Sequence, residues 1–139
     1  MSVDSHDATS WVLTAVALIV KKSDLDPNSI TERLALQPSA VRMPGVDRWN
    51  PEGSAAGQWR LQCDEHTTRV FSEQLDTILR AAEGCAGTLA MLRAEGCDVT
   101  ITVRGFADND SQVSFSADEM TRASRLKIPL KIIPSLNAR

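Results

Sequence analysis

Trp11 to Val20 reads Trp-Val-Leu-Thr-Ala-Val-Ala-Leu-Ile-Val, the only long apolar run in the chain. Both of its alternating faces are apolar and its residues favour strands, which fits a strand covered on both sides or shielded by a partner. A membrane helix needs ~20 such residues and this run has ten, so it predicts a central strand and no membrane span. The residues before it, Met1 to Ser10, carry Asp4 and Asp7 without Lys or Arg. A secretory signal opens on a cationic stretch, so export is not expected. Cys63, Cys85 and Cys97 are odd in number and lack a paired spacing, which predicts free thiols in a reducing cytoplasm.

A central strand has to be covered, and 139 residues with 42% hydrophobic side chains are enough for one core. A chain of this length buries roughly two-thirds of its unfolded surface. The formal charge of −3 excludes a polycation. Residues 1–10 are expected to form a flexible N-terminus, 11–134 a single α+β domain and 135–139 a tail.

Asp26 directly before Pro27 is a helix start, because the carboxylate caps and Pro27 lacks only an N–H that would have had no partner. Ile30, Leu34 and Leu36 give a narrow apolar stripe, and Pro38 ends the helix near Leu36. Gln37 to Gly57 holds Pro38, Pro44, Pro51, Gly45, Gly53 and Gly57 without periodicity and predicts a long loop, of the kind that is usually functional or disordered. Gln58 to Cys63 alternates Trp59, Leu61 and Cys63 with Gln58, Arg60 and Gln62, a half-buried strand.

Phe71, Leu75, Ile78, Leu79 and Ala82 predict a helix from about Thr68 to Glu83, interrupted by Gly84 and Gly87 and resumed at Leu89 until Gly96 closes it in a left-handed cap. Val99 to Val103 reads as a strand that turns through Ala107 to Gln112 and returns as a hairpin at Val113 to Phe115. Ser116 to Glu119 has capping-box spacing for a helix to about Arg125. Lys127 to Ile133 then makes a last strand, at an edge because Pro129 lacks a ladder donor. The order β-α-β-α-β-β-α-β predicts an α+β fold: one mostly antiparallel sheet of about five strands with helices packed on one face.

The stretches Leu25-Asp26-Pro27-Asn28-Ser29-Ile30-Thr31 and Leu34-Ala35-Leu36-Gln37-Pro38-Ser39 resemble the opening signature of the bacterial family called domain of unknown function 4279. Gly57 to Leu61, the Leu75 to Leu79 helix, the Val99 to Val103 strand and the ending from Phe115 to Ile132 follow that family's order. Where the family often has Gly between the two leucines, this chain has Ala35, and Arg42 to Ala56 matches only loosely. The resemblance covers nearly the whole chain through caps, turns and core positions. It implies a fold and supplies no reaction, cofactor or catalytic residue.

Several constellations carry chemistry in other proteins. Asp108, Asp110, Gln112 and Glu119 have positions one, three, five and twelve of a calcium loop, but Val113 stands where the sharp turn needs glycine and a strand precedes it, so turn plus capping box explains them. Cys63 and His66 lack the second pair that a zinc site needs, and neither a metal nor a cofactor is expected. Arg122, Arg125, Lys127 and Lys131 form a modest basic cluster, but aromatics are only 4%, which speaks against nucleic acid.

The Gln37 to Gly57 loop is the sharper candidate, because Arg42, Arg48 and Trp49 combine bidentate anion donors with an interface-type aromatic. The expectation is a cytoplasmic, non-enzymatic binding module, of the kind an immunity-type inhibitor would be, that uses this loop on a protein or a small anionic ligand. The alternative is an enzyme whose site lies near Asp64, Glu65 and His66. A homodimer is a third reading, kept open by the two apolar faces of the first strand.

Overall fold

The computed structural model describes residues 11–47, 50–107 and 111–136. Elements are numbered in chain order. The apolar run forms β1 (Val12–Lys22), third in the five-stranded order β2 (Ala40–Arg42), β5 (Gly57–Cys63), β1, β6 (Asp98–Ala107), β7 (Leu130–Leu136). It is central, as its two apolar faces require. Its neighbours pair antiparallel to it, and only β6 and β7 run parallel. The fold is therefore α+β, with one mixed and mostly antiparallel sheet.

One face of the sheet is core. Val16, Leu18 and Val20 of β1, Trp59 of β5 and Val99, Ile101 and Val103 of β6 pack in one cluster with residues of all four described helices. These are α1 (Pro27–Leu34), α2 (Phe71–Gly84), α3 (Ala86–Ala94) and α4 (Ala117–Leu126). The α2 stripe enters as its spacing predicts: Leu75, Ile78, Leu79 and Ala82 are buried, and Phe71 is half-buried against the ring of Phe115 at 5.5 Å, edge to face. None of these helices is long and apolar enough to cross a membrane.

The caps follow the local chemistry. Asp26 accepts from the Asn28 N–H at 3.1 Å with Pro27 opening α1. Ser116 and Glu119 close a reciprocal capping box at α4. Gly96 takes φ 100° just after α3. Cys85 alone separates α2 from α3, where Gly84 weakens the helix.

Four expectations are corrected. The α1 helix ends at Leu34, earlier than predicted, because Ala35 turns left-handed at φ 58° and donates to the Thr31 carbonyl at 2.9 Å. Gln37 to Gly57 is not one long loop: β2 pairs with β5, and β3 (Gly45–Asp47) pairs with β4 (Asn50–Ala55) as a separate ribbon. Two of these strands have three residues, too few for alternation to register, and their pairing rests on backbone hydrogen bonds that any sequence can make.

The hairpin at Val113 to Phe115 is not formed either, because β6 has β7 as its outer neighbour. Val113 and Phe115 instead anchor an irregular segment against the core. The Gln112 carbonyl in that segment accepts from the Trp11 N–H at 3.3 Å. The last strand starts later than predicted, since Lys127 is the left-handed cap of α4 and the Pro129 carbonyl accepts from the Ile101 N–H at 3.0 Å. It is an edge strand, where a proline without a donor is tolerated.

Candidate anion-binding face

The other face of the sheet, which no helix covers among the described residues, is built by the opposite phase of the same strands. Reading across the register, one row holds Arg42, Gln58, Lys21 and Asp98, and the next holds Ala40, Arg60, Ile19 and Thr100. A third holds Gln62, Ala17, Thr102 and Lys131, and a fourth Ala15, Arg104 and Ile133. Strands lie about 4.8 Å apart, so the cations of the five strands share one surface about 20 Å across.

The face is a shallow hollow of about 180 Å³. Its floor is Ile19, Thr100 and Thr102, all at or below 8% exposure, and its exposed margin includes Arg104 and Lys131. Among the described residues of these rows, five cationic ones, Lys21, Arg42, Arg60, Arg104 and Lys131, share the face with one carboxylate, Asp98, in a chain whose net charge is −3. Among the described residues none of the five has a carboxylate within ion-pair distance. The Arg60 guanidinium is pushed below its ordinary value, first by partial burial and then by the like charges of Arg104 and Arg42. Among the described residues its side-chain hydrogen bond runs along β5 to Gln62 Oε1 at 3.3 Å, toward the row that contains Thr102.

Thr102 itself is 4% exposed, and its hydroxyl is the only buried side-chain polar atom among the described residues without a hydrogen-bond partner. An orphaned hydroxyl costs about 1–3 kcal/mol, and such groups in a folded protein call for an explanation. A threonine is the natural strand residue at this register position, but Val would fill it without that cost. The hydroxyl on the floor of a basic hollow is what a ligand acceptor would complete.

The residues singled out in the sequence are distributed differently. Arg42 stands at the margin of this face, donating through Nε to the Ala56 carbonyl at 3.0 Å and reaching Gln58 Oε1 at 3.5 Å. Arg48 and Trp49 lie outside the described residues, as do Asp108 and Asp110 of the calcium spacing. The basic cluster late in the chain does not assemble: Arg122 is bound to Asp76 and Glu83, whereas Lys131 belongs to the sheet face. Cys63 is buried on the core face, and burial raises the Cys85 and Cys97 thiols, which keeps them protonated.

A second hollow, about 260 Å³, contains Asp64, Glu65 and His66 beside a bulge in β1. Its carboxylates are engaged with backbone. Asp64 Oδ1 accepts from the His66 N–H at 3.0 Å, and that bond together with the Gln62 amide holds Asp64 below the usual carboxylate range. Glu65 Oε2 accepts at 2.8 Å from the N–H of Leu13, a residue with φ 53°. These contacts fix a turn and a strained bulge. No group of three metal-donor side chains occurs among the described residues.

The polar phase Gln58, Arg60, Gln62 and Thr100, Thr102, Arg104 was visible as alternation. What places Arg60, Thr102, Arg104 and Lys131 on one surface is strand order, which alternation does not carry.

The family model for a domain of unknown function, DUF4279, matches residues 11–137. The chain belongs to the DUF4279 family. The match spans all seven strands and all four helices described above, so the family resemblance seen in caps and turns extends to the whole fold. No curated protein and no solved structure matches the chain. DUF4279 membership fixes what kind of domain this is and assigns no activity to the basic face.

Proposed function

We propose that this DUF4279 domain is a non-enzymatic cytoplasmic binding module that takes an anionic ligand or partner on the open face of its sheet. The carrying observation is the set of unpaired cations around the buried, unpartnered Thr102 hydroxyl. Cations held together without counter-ions raise local anion concentration and association rate. The 37–57 segment contributes Arg42 to the margin of the face, so it takes part as a border to the site. Five cations on one surface disfavour a homodimer through that surface, since two copies would bring like charges together.

The competing enzyme reading rests on Asp64, Glu65 and His66. Its support is a hollow, and its carboxylates are occupied by the Leu13 and His66 N–H groups.

The test is a titration of the 15N-labelled protein with inorganic phosphate, succinate and a short oligoglutamate at fixed ionic strength. Shifts centred on residues 58–62, 100–104 and 131, reduced in Arg60→Gln with Arg104→Gln but unchanged in the control Arg80→Gln, support the reading. Shifts scattered over the surface, or centred on residues 64–66, overturn it.

A further inference from the structure

Resting on that reading, we infer that the open face receives a single tetrahedral oxyanion, a phosphate monoester of a small molecule, with the Thr102 hydroxyl as central donor and Arg60, Arg104 and Lys131 around it. The argument begins with donor directions. Lys131 is the direct cross-strand partner of Thr102, Arg104 lies two residues along the same strand, and Arg60 leans from β5 toward the Thr102 row. Donors therefore approach from β5, β6 and β7. A planar carboxylate has two oxygens in one plane, whereas a phosphomonoester offers three equivalent oxygens that accept from separate directions. Its charge of −1.5 to −2 at neutral pH is matched by the surrounding cations.

Size and surface select the rest of the ligand. The hollow of about 180 Å³ is smaller than the ~300 Å³ at which pockets for drug-sized ligands begin, so the organic part is small. Ile19 on the floor and Ile133 beside it give it apolar contact next to the charges. A nucleic-acid strand is the weaker fit, because base stacking needs a series of aromatic platforms and no residue lining the hollow is aromatic. Lys131 and Arg104 are exposed and long, and they can fold over the bound group.

The experiment is calorimetry and NMR with methyl phosphate as probe. Acetate and a mixed-sequence oligonucleotide serve as comparisons, and wild type is set beside Thr102→Val and Arg104→Gln. The expected result is methyl phosphate binding that shifts residues 100–104 and 131. It weakens at least tenfold in Thr102→Val, and it falls as the phosphate is protonated below about pH 6. Thr102→Val keeps the shape of the side chain, so its fold is verified by an unchanged amide spectrum away from the face. If methyl phosphate and acetate bind alike and Thr102→Val changes neither, the face attracts anions generally and the phosphomonoester assignment is overturned. Binding of the oligonucleotide without binding of methyl phosphate overturns it too, while the basic face stands. If none of the three anions binds, both this inference and the binding reading beneath it fail.

Discussion

Gln74 on α2 and Thr14 on β1 exchange two hydrogen bonds across the core: the Thr14 hydroxyl donates to Gln74 Oε1 at 2.8 Å, and Gln74 Nε2 donates to the Thr14 carbonyl at 3.1 Å. The same amide nitrogen also donates to the Thr68 carbonyl at 2.8 Å. Gln74 has no exposure, so each of these groups depends on the others. The arrangement ties the start of α2 to the bulged end of the central strand.

Replacing Gln74 with Leu keeps the volume and strands a hydroxyl and two carbonyls. The expected loss is about 2–3 kcal/mol, measured by urea denaturation. A double variant with Thr14→Val recovers part of it, because the hydroxyl that lost its acceptor is then gone.

Arg122 links α4 to α2 through three contacts, Nε and a second guanidinium nitrogen to Glu83 at 2.8 and 2.9 Å and the remaining nitrogen to Asp76 at 2.8 Å. The guanidinium holds the Glu83 carboxyl below its ordinary value of 4.5 and is itself raised. A carboxyl depressed in the folded state adds stability above its unfolded pKa and loses it as pH falls through the folded value. The acid limb of the stability curve is therefore expected to flatten below about pH 4.5 in Glu83→Gln. Arg122→Ala costs about 1 kcal/mol at pH 7, since the acids are partly exposed and the pair is screened. Thermal melts from pH 3 to 7 check both.

Ala35 occupies a left-handed position, φ 58°, where the family often carries glycine. The conformation costs an L-residue about 1–2 kcal/mol, and glycine gives back part of that through its looser unfolded state. Ala35→Gly should thus stabilise by about 0.5–1 kcal/mol. Gly96→Ala should do the reverse, losing about 1 kcal/mol at φ 100°, where an added Cβ meets nothing tighter than an ordinary contact with Lys22 Cε at 3.7 Å. Equal effects of the two changes in chemical denaturation would refute the backbone explanation.

How much of this was legible in the sequence depends on the range of the interaction. Asp26-Pro27, the Ser116 capping box and the α2 stripe are decided within one helical turn, and the structure has them where the residues put them. The two apolar faces of β1 correctly announced a central strand, although among the described residues its second side is shielded by polar strand neighbours and not by another layer of helices. The 40–55 strands and the parallel β6–β7 pair were not legible, because both depend on which backbone edges are free after the rest has folded. The basic face was half legible: the wet phase of each strand was evident, but the neighbours of Thr102 follow from register alone.

Thr102 also makes a prediction that needs no ligand. Its hydroxyl is buried without a partner, so Thr102→Val removes a desolvated group and leaves the strand shape intact. The free protein should become more stable by about 1 kcal/mol, with the midpoint of urea unfolding raised and its slope unchanged. A structural threonine would behave oppositely, since losing a satisfied hydrogen bond destabilises. A gain in stability here together with weaker anion binding is the pattern of a residue retained for a site at the expense of the fold. A loss of stability would mean that the hydroxyl finds a partner within the protein, and the face would then have to recognise anions through its arginines and lysines alone.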